Sequence, residues 1–130
     1  MRAALFVFLL GHLAYGQNLD RYLWKNRVGV IFKTVDNNPE VKEQLEAFKP
    51  FSGEILDREM VILVPGKAES PKLLKRLALD NEYSGLVLLG KDGGIKLKQK
   101  LVVKPHILFD LVDAMPMRRA ELRDRSKKPD

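Results

Sequence analysis

The chain has no cysteine among its 130 residues. That absence removes disulfide staples, thiol nucleophiles, thiolate metal sites and dithiol redox chemistry together. Histidine is nearly missing as well, with only His12 and His106. Two distant histidines make no zinc cluster, and His106 has no evident serine or acid partner for a Ser-His-Asp site. Long apolar runs are lacking: a bilayer span needs roughly 20 apolar residues, and the run Ala3 to Leu10 is shorter. No internal repeat or low-complexity segment is present. The glycine-rich stretch Gly90-Lys91-Asp92-Gly93-Gly94 is too short and wrongly spaced for a Walker loop.

The first sixteen residues have the parts of a secretory signal peptide. Arg2 supplies a positive start, Ala3 to Leu10 an apolar run, and Ala14-Tyr15-Gly16 small residues before a cleavage expected at Gln17. The mature chain would then be residues 17 to 130, long enough for one domain with one core. Only Arg2 leaves with the signal, so 22 basic against 17 acidic residues give +5. Residues 1–16 are thus read as signal, 17–117 as the folded domain and 118–130 as a charged C-terminal tail. Such a tail suits anionic lipid or another polyanion, or is simply a solvated, frayed end. No cofactor is indicated, and no stacking platform points to nucleic acid.

The firmest local signal runs from Tyr83 to Val103. Leu86 to Leu89 are four consecutive apolar residues, as in a strand buried on both faces. The Asp-Gly and Gly-Gly steps that follow suit a tight turn. Beyond it Ile95, Leu97 and Leu101 alternate with Lys96, Lys98 and Lys100, the pattern of a half-exposed edge strand. Val28 to Phe32 and Met60 to Val64 read as two further buried strands. Asn38-Pro39 opens a helix with Val41, Leu45 and Phe48 on one face, ended by Pro50 and Gly53. Ser70-Pro71 opens another, with Leu73, Leu74, Leu77 and Ala78 as its stripe. Pro105 opens a third, whose Leu108, Leu111, Val112 and Met115 face the core and which Pro116 kinks or ends.

The order is β-α-β-α-β-β-α. A right-handed first β-α-β unit and a closing hairpin give a four-stranded mixed sheet, expected in the order 2-1-3-4. This is an α/β, three-layer sandwich of the minimal thioredoxin-like kind.

Four pieces of the chain carry a family likeness: Tyr22-Leu23-Trp24-Lys25-Asn26-Arg27, Leu56-Asp57-Arg58-Glu59, Leu89 to Leu97, and Asp113 to Glu121. Through them the chain resembles the thioredoxin-like domain-of-unknown-function family 4174, found as single secreted bacterial domains and within animal sushi-repeat-type extracellular proteins. The resemblance implies a fold and a secreted setting, and no reaction.

A thioredoxin enzyme works at the start of its first helix, where the dipole lowers a cysteine pKa. The matching stretch here, Lys33 to Pro39, has no sulfur. Its helix start suits an anion, and Asp36, Asn37 and Asn38 offer calcium three oxygens where about six to eight are wanted. The topology points elsewhere. It brings Arg27, Asp57, Arg58, Lys91, Asp92 and Arg118 to the opposite, lower end. That end is either a binding surface or an ionic lock on the fold. Trp24, among Arg21, Lys25 and Arg27, is the seventh candidate binding residue, since aromatics among cations can stack on bases or sugars. The reading preferred for it is that it seals the bottom of the core while the cations stay solvated. The expected function is a secreted or periplasmic, cysteine-free binding module whose partner is a protein or polyanion. The alternative is a non-redox enzyme with Asp57 as acid or base and Arg58 or Arg118 holding an anion.

Overall fold

A computed structural model describes residues 19–34 and 38–127. The expected signal segment, and Asp36 and Asn37 of the first helix-start loop, lie outside the described residues.

A 3-10 turn at Leu19–Tyr22 leads into strand β1 (Arg27–Phe32), then helix α1 (Asn38–Phe48). Next come a 3-10 turn at Lys49–Phe51, helix α2 (Ser52–Asp57) and β2 (Met60–Leu63). Helix α3 (Ser70–Arg76) precedes the hairpin β3 (Gly85–Leu89) and β4 (Ile95–Gln99). Helices α4 (Pro105–Asp113) and α5 (Pro116–Lys127) close the chain. The sheet order is β2-β1-β3-β4, with β1 parallel to β2 and the other two pairings antiparallel. This is the expected thioredoxin-like sandwich with its four-stranded mixed sheet.

Side-chain alternation divides the core between the two faces of the sheet. Val28, Val30, Phe32, Val87 and Leu89 pack with Leu73 and Leu74 of α3 and with Leu19. Ile31, Ile62, Leu86 and Leu88 pack with Val41 and Phe48 of α1, Ile55 of α2, and Leu108, Phe109 and Val112 of α4. A fully buried amide ties this second layer together. Gln44 donates to the Val103 carbonyl (2.8 Å) and accepts from the Val103 N–H (2.6 Å). Both polar groups of the segment entering α4 are thereby satisfied without a strand partner.

Three expectations are corrected. The segment after Pro50 does not stop at Gly53 but turns into α2, which delivers Asp57 and Arg58 to the lower end. Ala78 is not on the α3 stripe. It sits beyond the helix at φ 58°, where Leu79 N–H bonds the Leu74 carbonyl (2.8 Å) and Ala78 N–H the Lys75 carbonyl (3.1 Å). That pair of bonds is a Schellman ending, usually built with glycine. Finally, the stretch from Arg118 is no frayed end: Pro116 starts α5, and this helix is anchored by charge.

Candidate functional site

The lower end gathers the start of β1, the α2–β2 turn, the β3–β4 turn, the end of α4 and one face of α5. Backbone bonds stitch the loops first. Arg27 N–H donates to the Glu59 carbonyl (2.9 Å), and Trp24 N–H to the Lys91 carbonyl (2.7 Å).

Arg27 occupies the first position of β1, on the face that otherwise buries Ile31. Apolar packing would be expected there, yet the side chain is an arginine only 1% exposed. A buried guanidinium demands acceptors. Arg27 donates from Nη1 and Nη2 to Glu121 (3.3 and 3.1 Å) and from Nη1 to the Arg58 carbonyl (2.9 Å). Among the described residues its Nε has no acceptor. The expectation of solvated cations around Trp24 therefore fails at Arg27, because α5 closes over it.

Glu121 also accepts from Lys91 (2.7 Å), and Lys91 donates to Glu59 as well (2.6 Å). The turn lysine is buried under this pair of carboxylates rather than solvated. Asp92 plays a local part. It accepts from Gly94 N–H (2.9 Å) and pairs with Lys96 (3.3 Å), the marks of a closed turn.

Arg58 forms a two-pronged pair with Asp113 (3.0 and 2.9 Å), and its guanidinium lies 4.5 Å from the Phe109 ring centroid. Arg118 is buried. It reaches Asp57 through Nη2 (2.8 Å), the Asp57 carbonyl through Nη1 (3.0 Å) and Asp113 through Nε (3.4 Å). Arg125, one helical turn past Glu121, holds the other Asp57 oxygen (2.8 Å). Asp57 and Arg118 are thus direct partners. Six of the seven residues singled out from sequence, Arg27, Asp57, Arg58, Lys91, Asp92 and Arg118, sit at this end in ion pairs.

The titration behaviour follows from these contacts. Hydrogen bonds from Arg118 and then Arg125 hold the Asp57 carboxyl below the usual aspartate value. Arg58, opposed by burial, does the same for Asp113. Burial works to raise the Glu121 pKa, but the bonds from Arg27 and Lys91 outweigh it and leave it lowered. For Asp92 the Gly94 amide is the main cause of a lowered value.

Trp24 departs from expectation. It does not seal the core but stands 65% exposed, at φ 64°. Tyr22, its neighbour, packs against the β1–α3 layer instead. The backbone bond to Lys91 holds Trp24 in a left-handed conformation that L-residues disfavour.

The profile of the domain-of-unknown-function family 4174 (DUF4174) matches residues 18–121. The chain belongs to that family. No curated protein matches it. The DUF4174 match ends at Glu121, the carboxylate on which Arg27 and Lys91 converge.

Sequence reasoning missed four members of the network: Glu59, Asp113, Glu121 and Arg125. The last two left a signal, since Arg118, Glu121 and Arg125 recur at helical spacing on one face. At the upper end Phe32, Lys33, Thr34, Pro65, Ser70 and Tyr83 border a shallow cavity of about 170 Å³. Among the described residues no His, Cys, Asp or Glu cluster is arranged to hold a metal. None of the described helices is long and apolar enough to cross a membrane.

Proposed function

We propose that this chain is a binding module of the extracytoplasmic space, and that its lower end docks a protein partner. The observation that carries this reading is Trp24: a large aromatic, mostly exposed, in a strained backbone conformation fixed by the Lys91 carbonyl. Strain of about 1–3 kcal/mol persists only where surrounding structure enforces it, and such sites cluster where function resides. Tryptophan is also among the residues most enriched at interface hot spots. Leu56 and Met117, both exposed, add apolar surface beside the ion network.

Two considerations favour a module over the alternative enzyme. A general acid or base works best with a pKa near the operating pH. Asp57 is held ionised between Arg118 and Arg125, which moves it away from that range. Arg58 and Arg118 are engaged by Asp57 and Asp113 and have no vacant fork for a substrate anion. The same pairings weaken the tail as a polyanion tether, because Arg118 and Arg125 are spent within the fold. The secreted or periplasmic setting rests on the Arg2, Ala3–Leu10 and Ala14-Tyr15-Gly16 pattern.

The test is capture from the envelope and medium fractions of the source cells, comparing wild type with Trp24→Ala and with Lys67→Ala, a residue that borders the upper-end cavity. A partner lost with Trp24→Ala and kept with Lys67→Ala is expected. Loss with Lys67→Ala alone would move the surface to the upper end and overturn the assignment. Mass spectrometry of the exported protein should give Gln17 as its first residue.

A further inference from the structure

We propose that the cleft between the β3–β4 turn and the N-terminus of α5 binds a carboxylate carried on a short apolar body, as a peptide C-terminus presents it. This names the ligand chemistry of the end assigned above and rests on that reading. The cleft has a volume of about 270 Å³, bounded by Arg27, Lys91, Asp92, Lys96 and the Met115-Pro116-Met117 corner. It is just below the usual size of small-ligand pockets, about 300–1,000 Å³, and suits one carboxylate and one side chain.

Three independent features favour an anion there. The ion-paired groups of the lower end include five cations, Arg27, Arg58, Lys91, Arg118 and Arg125. They meet four carboxylates, Asp57, Glu59, Asp113 and Glu121. With the Lys96–Asp92 pair added, these ion-paired groups still carry one cation more than carboxylates. Second, Arg27 forms part of the cleft wall, is almost wholly buried, and among the described residues finds no acceptor for its Nε–H. Buried donors of this kind are rare, and each calls for an explanation. Third, α5 opens onto the cleft. Pro116 has no N–H, and Met117 and Arg118 are the first amides that a helix leaves without an intrahelical acceptor. The next amide, Arg119, donates to the Met115 carbonyl (3.0 Å). A carboxylate at this point meets the positive end of a twelve-residue helix.

Asp92 also borders the cleft, but its oxygens are taken by the Gly94 amide and Lys96. Met115, Pro116 and Met117 form the apolar wall. Methionine adapts its shape to varied side chains, which suits an apolar last residue more than a bare inorganic anion.

The experiment is an amide-shift NMR titration of the protein expressed from its full coding sequence. Three probes are used: acetyl-Ala-Leu with a free carboxylate, the same peptide amidated, and inorganic phosphate. The free carboxylate should give saturable shifts at Met117, Arg118 and Lys91, with amide and phosphate at least tenfold weaker. Met117→Glu, which sets a competing carboxylate at the helix start, and Lys96→Gln should each weaken binding about tenfold while leaving the unfolding midpoint within error. Equal binding of the amidated peptide, equal or tighter binding of phosphate, no saturation, or shifts at the upper end would overturn the proposal. A failed titration beside a partner still lost with Trp24→Ala removes this cleft and leaves the docking end standing. A carboxylate-specific titration with a partner indifferent to Trp24 removes the docking end instead.

Discussion

Glu121→Gln is the substitution that most directly tests the ionic anchoring of α5. Glu121 is the shared acceptor of Arg27 and Lys91, and both cations are buried. The amide keeps the shape but loses the charge, and it turns an NH₂ group toward a cation. Lys91 retains Glu59, whereas Arg27 keeps only the Arg58 carbonyl and one neutral amide oxygen, with no charged partner. Removing one partner of a buried ion pair costs roughly 3–5 kcal/mol, because the other charge stays buried and uncompensated. Glu121 keeps some solvent access, so we expect the lower bound, about 3 kcal/mol. For a domain of this size that lowers the melting temperature on the order of 10 °C.

The assay is urea unfolding followed by circular dichroism, with Glu46→Gln as control. Glu46 pairs with Lys49 on the exposed face of α1, and its loss should cost less than about 0.5 kcal/mol. The pH dependence gives a second readout. Glu121, Asp57 and Asp113 all have lowered folded pKa values. Groups of this kind add stability that is fully present above the unfolded carboxyl pKa, about 4, and is lost as pH falls through the lowered folded values. Wild-type stability should therefore fall as pH drops below about 5, and the Glu121→Gln slope should be shallower. A cost below about 1 kcal/mol with an unchanged acid slope would refute the anchoring and make α5 an adherent tail.

Three further substitutions test individual geometries. Ala78→Gly should stabilise the protein by about 1 kcal/mol in the same urea assay, since glycine carries no penalty at the left-handed Schellman position; a loss would contradict it. Trp24→Gly should be more stable than Trp24→Ala by about 1 kcal/mol, because both remove the indole and only the glycine relieves the backbone at φ 64°; the reverse order would mean that Trp24 is unstrained. Gln44→Leu should cost at least about 2 kcal/mol, since Val103 N–H and C=O are left buried without partners; an unchanged unfolding midpoint would mean that water reaches them.

What the sequence made legible followed from apolar pattern. Val28–Phe32, Met60–Val64 and Leu86–Leu89 are short apolar runs bounded by turn residues, and all three are strands. Their order followed from the handedness of the β-α-β unit and the shortness of the hairpin. The lower end was legible for the same reason, since strand polarity alone carries Arg27, Asp57 and Lys91 to one place. The pairings were hidden because Arg27 and Glu121 lie 94 residues apart. Helix α5 was hidden because its one fully buried residue is an arginine. Periodicity analysis looks for apolar stripes, and a helix docked by charge has none. Trp24 was misplaced because burial is the common fate of its residue type, whereas its backbone stands at φ 64°, bonded to the Lys91 carbonyl, with the indole exposed.

The charged seam itself favours specificity over stability. A buried ion pair often adds no more than apolar residues of the same volume would, because desolvation offsets the attraction. Arg27 stands where the alternation of β1 would admit a leucine, and an apolar α5 would pack there without help. A purely apolar seam would let α5 slide by a turn with little change in energy. The arrangement present has one register in which Arg118 meets Asp57 and Asp113 while Glu121 meets Arg27 and Lys91. A one-turn shift would set like charges together. That fixed register places the Met115-Pro116-Met117 corner beside the β3–β4 turn, and so defines both walls of the cleft. The ionic lock and the binding surface, rival readings of the lower end from sequence, are thus compatible: the lock is present, and it would hold the proposed surface in shape.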